Sequence, residues 1–278
     1  MQFFSYLISG ISLGSVYALI ALGYTMVYGI AKMLNFAHGD IIMIGSYIVF
    51  FAFGSAGLNP ILAIVLSMVV CTVLGVTIER IAYRPLRDAP SLAVLITAIG
   101  MSYLLQQVAQ LSWTSSPKSF TSVVKGFAPI SLFDGQLRIP AETVVTIAAC
   151  VVIMIALMLF IKYAPAGHAM LAVSEDRGAA QLMGVNVNAT ISLTFAIGSA
   201  LAAVAGALLC SAYPTLQPTT GAMPGIKAFV AAVFGGIGSI PGAVIGAFII
   251  GICESLIKAN ADMAVFSNAF TFALLIVI

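Results

Sequence analysis

Polar residues interrupt this chain only briefly, and between the breaks run nine apolar stretches: roughly 3–30, 40–54, 59–83, 91–112, 142–163, 189–213, 225–238, 242–258 and 264 onward. A helix needs about 20 mostly apolar residues to cross a bilayer. Inside hydrocarbon every backbone N–H and C=O must be paired, which a helix achieves on its own. The pattern predicts an all-α, polytopic transmembrane bundle of about eight or nine membrane segments, forming one domain over residues 1–278. The runs at 40–54 and 225–238 are short for a full crossing at about 1.5 Å rise per residue. Short or broken segments of this kind can line a cavity.

The breaks are well marked. Asn59-Pro60 opens the third run, Arg84-Pro85 and Ala89-Pro90 bracket a short basic turn, and Pro165 with Gly167 is expected to close the fifth run. Trp113 to Ala141, with Lys118, Lys125, Asp134 and Arg138, is the longest polar connection and is expected to be a partly structured loop. The N-terminus MQFFSYLIS lacks the positive segment of a cleavable signal. The last run stops at Ile278 with no polar end, as it would if a natural tail followed.

One polar island stands apart: Ala164 to Asn188, APAGHAMLAVSEDRGAAQLMGVNVN. Ser174 is the expected N-cap of a short helix, with Glu175 and Asp176 in its first turn, where acids suit the positive helix end. Ala179, Leu182 and Met183 then share one face at i, i+3, i+4 spacing. Gly184 supplies a left-handed stop. The reading is a short amphipathic helix on the membrane surface, a docking element rather than a site of chemistry. Arg80, Arg84 and Arg87 in the turn after the third run, with Lys162 and Arg177 in the island, fall on one side if the spans alternate. The positive-inside rule places that side in the cytoplasm and the N-terminus outside.

Composition sharpens the class. Hydrophobic residues make up 62% of the 278 and charged residues 7%, with mean hydropathy +1.14. A soluble domain carries roughly 25% charged residues, so this chain could not cover a surface in water. The net charge of +2 is too small and too scattered to suggest nucleic acid. Cys71, Cys150, Cys210 and Cys253 lie inside apolar runs without ligand spacing and read as packing residues. Small residues recur every fourth position at Gly10, Gly14 and Ala18, at Gly198, Ala202 and Gly206, and at Gly242 and Gly246, which favours close helix packing within one subunit.

Candidate chemistry is sparse, and no catalytic or metal constellation is expected. The best polar break is Lys32 to Asp40, KMLNFAHGD, where Asn35, His38 and Asp40 either line a path or simply cap the second helix at the membrane surface. Lys227 is expected to snorkel to the interface. Glu254 and Lys258 form a favourable i,i+4 pair, expected near the membrane surface. The segment Gly235 to Gly242, GGIGSIPG, lacks the Lys-Ser/Thr of a phosphate loop and reads as a turn or hinge, so that Gly235 and Gly236 are gate candidates.

Four ordered blocks resemble a known family. Gly14–Gly45 (GSVYALIALGYTMVYGIAKMLNFAHGDIIMIG) is similar to the start of the permease subunit of branched-chain amino-acid ABC importers. Ile78–Arg87 (IERIAYRPLR), Leu171–Val187 (LAVSEDRGAAQLMGVNV) and Ile226–Ser255 follow in the family's order. The resemblance implies an inner-membrane transport subunit that hydrolyses nothing itself and holds no cofactor, with ATP bound by two cytoplasmic ATPase partners. It implies a second related permease subunit and a periplasmic binding protein that delivers leucine, isoleucine or valine. The island at 164–188 then corresponds to the cytoplasmic loop that engages the ATPase, with Ala172, Glu175, Asp176, Ala179, Ala180 and Gly184 at the family's positions. The rivals are an ion-coupled secondary transporter, which would need an acid such as Asp40 or Glu254, an intramembrane enzyme and a purely structural subunit.

Overall fold

A computed structural model describes residues 2–87, 89–124, 130–132 and 137–277. In chain order it places α1 (Gln2–Ala31), α2 (His38–Val49), α3 (Pro60–Ile78) and α4 (Ser91–Trp113). After strands β1 (Lys118–Ser119), β2 (Ile130–Leu132) and β3 (Leu137–Ile139) come α5 (Ala141–Tyr163), α6 (Pro165–Glu175), α7 (Arg177–Leu182) and α8 (Val187–Ala212). Strand β4 (Thr215–Leu216), α9 (Ala222–Phe234), α10 (Ile240–Lys258), α11 (Ala261–Ala264) and α12 (Ser267–Val277) complete the described chain.

The structure is nearly all helical, and seven of its described helices are long and apolar enough to cross a membrane. Of the eight or nine expected segments, some of them short, the run at 225–238 becomes α9, only 13 residues long and below that length. The run from 264 likewise becomes α12, with 11. The run at 40–54 does span, because α2 continues through a π-helical turn at Phe50–Ser55 to make one segment of 18 residues. Asn59 caps α3 as its sequence suggests, its side chain accepting the Ile61 N–H with Pro60 at the first helical position.

Burial divides the bundle. Along α1, Val16 to Leu22 are almost fully enclosed on every face, as expected of a helix that is hydrophobic all round and central. The windows of α3, α4 and α5 are mostly exposed, with Ile61, Val73, Ile96 and Val152 on the outside, surface left for a bilayer or a partner subunit to cover. Helix α1 packs most extensively along α10, and then against α8 and α9. A Cβ on Gly14 would lie 2.9 Å from the Phe248 Cα, and one on Gly10 2.8 Å from the Ile252 Cα. Gly45 of α2 meets the Ala203 Cα of α8 in the same way. These stripes are used up inside the subunit, where small residues let backbones approach.

The connection from Trp113 to Ala141 is partly ordered by pairing. β1 runs antiparallel to β4, which ties the segment to the exit of α8, and β2 pairs with β3. Trp113 stacks on Tyr47 with ring centroids 4.4 Å apart, beside Phe120, Val124 and Leu216 in a second, smaller core. Lys125 and Asp134 lie outside the described residues.

Candidate functional site

The polar island forms an elbow of two helices rather than one. α5 ends at Tyr163, Ala164 is extended, and Pro165 opens α6 instead of merely closing α5. Gly167 sits so tightly against Phe160 and Ile161 that a side chain there would meet backbone, which sets the corner. Ser174 is not an N-cap: it lies inside α6 and its hydroxyl donates to the Leu171 carbonyl at 2.7 Å. The cap is Asp176, whose carboxylate accepts from the Gly178 and Ala179 N–H groups at 2.7 and 3.0 Å. An aspartate that can satisfy two orphan donors from extended backbone outcompetes an upstream serine. Glu175, the last residue of α6, and Ala172 are exposed.

Beyond that cap the elbow presents an unpartnered apolar tip. Leu182 is 90% exposed and Met183 84%, and Ala179 is exposed beside them, while Ala180 turns inward and is buried. Gly184 has φ +86°, the left-handed stop its position predicts. Asn186 then caps α8 by accepting the Ala189 N–H. The elbow is fastened to the bundle: the Arg177 guanidinium donates to the Ala31 carbonyl at the end of α1. Arg87 pairs with Glu79 and with Asn188, and the Ser192 hydroxyl donates to Glu79 at 2.6 Å. The basic turn after α3 and the island therefore share one end of the bundle, as alternating spans predict.

Asn35, His38 and Asp40 are not surface caps. They are 3%, 1% and 1% exposed, and the N-cap of α2 is Ala37, without a side-chain bond. The structure sends them three ways. The Tyr83 hydroxyl donates to Asn35 at 2.9 Å. His38 packs edge-on to Tyr24 and fills the space left by Gly23. Asp40 accepts from the Gln106 amide of α4 at 2.9 Å. Asp40 also borders a cavity of about 360 Å³ between α2, α4 and the start of α9. Gly235 and Gly236 lie elsewhere, in the α9–α10 turn, where Gly235 packs on Gly242 and Gly236 has φ +89°. The turn reading holds, but the five gate candidates do not form one site.

Sequence reasoning misses the partners. Gln106 and Ser102 stand four apart in the middle of an apolar run, which is the one signal that points to them. It also misplaces Lys227, which does not snorkel: it is buried, and its ammonium donates to Glu254 at 2.6 Å. Glu254, 1% exposed, also accepts from Lys258 at 2.6 Å and from the Tyr17 hydroxyl at 2.9 Å. The expected i,i+4 pair exists, with the Lys258 side chain 47% exposed, and its carboxylate also reaches inward to the buried Lys227 and Tyr17, joining α1, α9 and α10. Among the described residues no group of His, Cys, Asp or Glu is placed to hold a metal ion.

Comparison with known proteins adds the family. The model of the branched-chain amino acid transport system / permease component matches residues 6–278. The high-affinity branched-chain amino acid transport system permease protein LivH of Escherichia coli (strain K12) is 42% identical, over 100% of this chain and 93% of its own. The corresponding permease protein BraD of Pseudomonas aeruginosa is 42% identical over 98% and 91%. A probable branched-chain amino acid transport permease protein LivH of Methanocaldococcus jannaschii is 34% identical over 86% and 76%.

Proposed function

The chain belongs to the family of branched-chain amino acid transport permease components, and on that premise we propose how it works within an ATP-driven importer. It is a multi-pass inner-membrane permease subunit of an ABC transporter, and a transport subunit rather than an enzyme. Residues 1–278 act as one permease domain that forms half of a translocation path for leucine, isoleucine and valine. A second related permease subunit supplies the other half, a periplasmic binding protein delivers the amino acid, and two cytoplasmic ATPases bind and hydrolyse ATP.

The observation that carries the coupling role is the α6–α7 elbow. An apolar tip of Leu182 and Met183, left uncovered on a rigidly capped helix at the basic end of the bundle, is what a groove on a soluble partner would bury. The arginines at that end support a cytoplasmic location for residues 164–188. Asp176 and Gly184 set the shape that presents the tip, Ala180 packs inward beneath it, and Ala172, Glu175 and Ala179 lie exposed beside it for the partner to meet. Because Arg177 and Arg87 tie the elbow to α1, α3 and α8, a push from the ATPase would move those helices as a body.

The test is uptake by the purified complex in sealed proteoliposomes. Uptake should follow internal ATP and survive an ionophore that collapses ion gradients; uptake that follows the gradient instead overturns the importer reading. Gly184→Val forces a β-branched side chain into the left-handed region at a cost of about 1–2 kcal/mol. It should weaken co-purification of the ATPase, and unchanged assembly would remove the elbow from the docking role.

A further inference from the structure

We propose that the cavity beside Asp40 is the station in the path that binds the substrate, with the Asp40 carboxylate receiving the α-ammonium of the amino acid. The inference rests on the permease reading and adds to it a place and a chemical partner. Asp40 is a buried carboxylate on an apolar spanning helix, and among the described residues no Lys, Arg or His forms an ion pair with it. One oxygen accepts from Gln106, a neutral amide, which leaves the charge itself unmatched. Charged groups within membrane spans face a bundle interior or a water-filled cavity, and they are normally paired. Here the missing partner is a cation, and the space to hold one is adjacent.

The lining suits an aliphatic amino acid. Around the carboxylate stand the rings of Tyr24, Phe36 and Tyr103, whose faces attract an ammonium. Leu95, Ile99 and Ile226 supply an apolar wall for a branched side chain, while Ser102 belongs with Gln106 to the polar group around Asp40. A volume of about 360 Å³ falls in the usual range for small-ligand sites, roughly 300–1,000 Å³. The cavity opens on the outer face of α4, where Ile99 and Tyr103 are exposed. A carboxylate-lined opening cannot face hydrocarbon, so this face is where the second permease subunit closes the path.

The experiment uses the complete importer in proteoliposomes loaded with ATP, comparing wild type with Asp40→Asn and Asp40→Glu. Leucine uptake should fall about tenfold or more in Asp40→Asn, as losing one partner of a desolvated charge pair implies. ATP hydrolysis stimulated by the binding protein should stay near wild type, and Asp40→Glu should recover part of the uptake. A structural role would lower assembly, hydrolysis and uptake together, and that pattern overturns the proposal, as does wild-type uptake in Asp40→Asn. As a second measurement, Ile99→Cys in the assembled complex should react with a water-soluble maleimide and be protected by leucine. A thiol that leucine leaves unprotected overturns it too. Failure of the wild-type complex to use ATP at all is a separate result, and it would remove the importer reading itself.

Discussion

Asp40 and Glu254 are both carboxylates on spanning helices and both are 1% exposed, yet the protein holds them in opposite ways. Glu254 receives two ammonium groups and a phenol, from Lys227, Lys258 and Tyr17, and joins three helices by doing so. Asp40 is held only by neutral partners, the Gln106 amide and the Ser102 hydroxyl, and borders a cavity. Two charges taken out of water together can return most of their desolvation cost to each other, provided the remaining lone pairs are satisfied. A single charge returns nothing until something enters beside it. Burial therefore does not distinguish structure from site in a membrane protein; the matching of the charge does.

The largest test of the contrast is Glu254→Gln. It leaves the buried Lys227 ammonium without its counter-charge, which costs about 3–5 kcal/mol when one partner of a buried pair is removed. The complex should lose melting temperature in detergent by a correspondingly large step. The double variant Lys227→Met, Glu254→Gln should recover most of it, because replacing both members with neutral groups is often close to neutral. A single variant that melts like wild type would mean that the cluster is idle.

Tyr17→Phe should come next in size. It removes one charge-assisted hydrogen bond from the same carboxylate while leaving both lysines, a loss of about 1.5–3 kcal/mol. Measured in the same melting assay, its effect should shrink in the background of Glu254→Gln, since the two act on one network. Full additivity would show that Tyr17 stabilises α1 by packing alone.

What can be read in advance follows from the same physics. The apolar runs locate the long helices because hydrocarbon leaves backbone no alternative, and the small-residue stripe at Gly10 and Gly14 finds its partner in α10. Local rules also work at Asn59 and Gly184, where one side chain or one φ decides the outcome. They fail at Ser174, because the competition between it and Asp176 is settled by which residue has extended backbone, something the string of letters does not contain. The polar residues fail in a more instructive way. Lys227 reads as interfacial and Asp40 as a cap when each is judged against its own helix. The partners that bury them, Glu254 and Gln106, lie 27 and 66 residues away. Gln106 is visible in the sequence as a polar residue inside a span; its meeting with Asp40 is not.

Asp40→Asn gives the smallest effect on stability and separates the two roles most sharply. The asparagine carbonyl can still accept from Gln106, so the α2–α4 contact survives, while an unmatched charge leaves a poorly solvated place. The melting temperature should stay within about 1 kcal/mol equivalent of wild type or rise slightly, because neutralising an unpaired buried charge carries no loss of a partner. Set beside Glu254→Gln in one assay, the two substitutions remove the same charge from equally buried positions. If they destabilise equally, Asp40 is a structural carboxylate like Glu254 and the cavity is incidental. If only Glu254→Gln destabilises while only Asp40→Asn stops uptake, the protein keeps one acid for holding itself together and the other for holding its cargo.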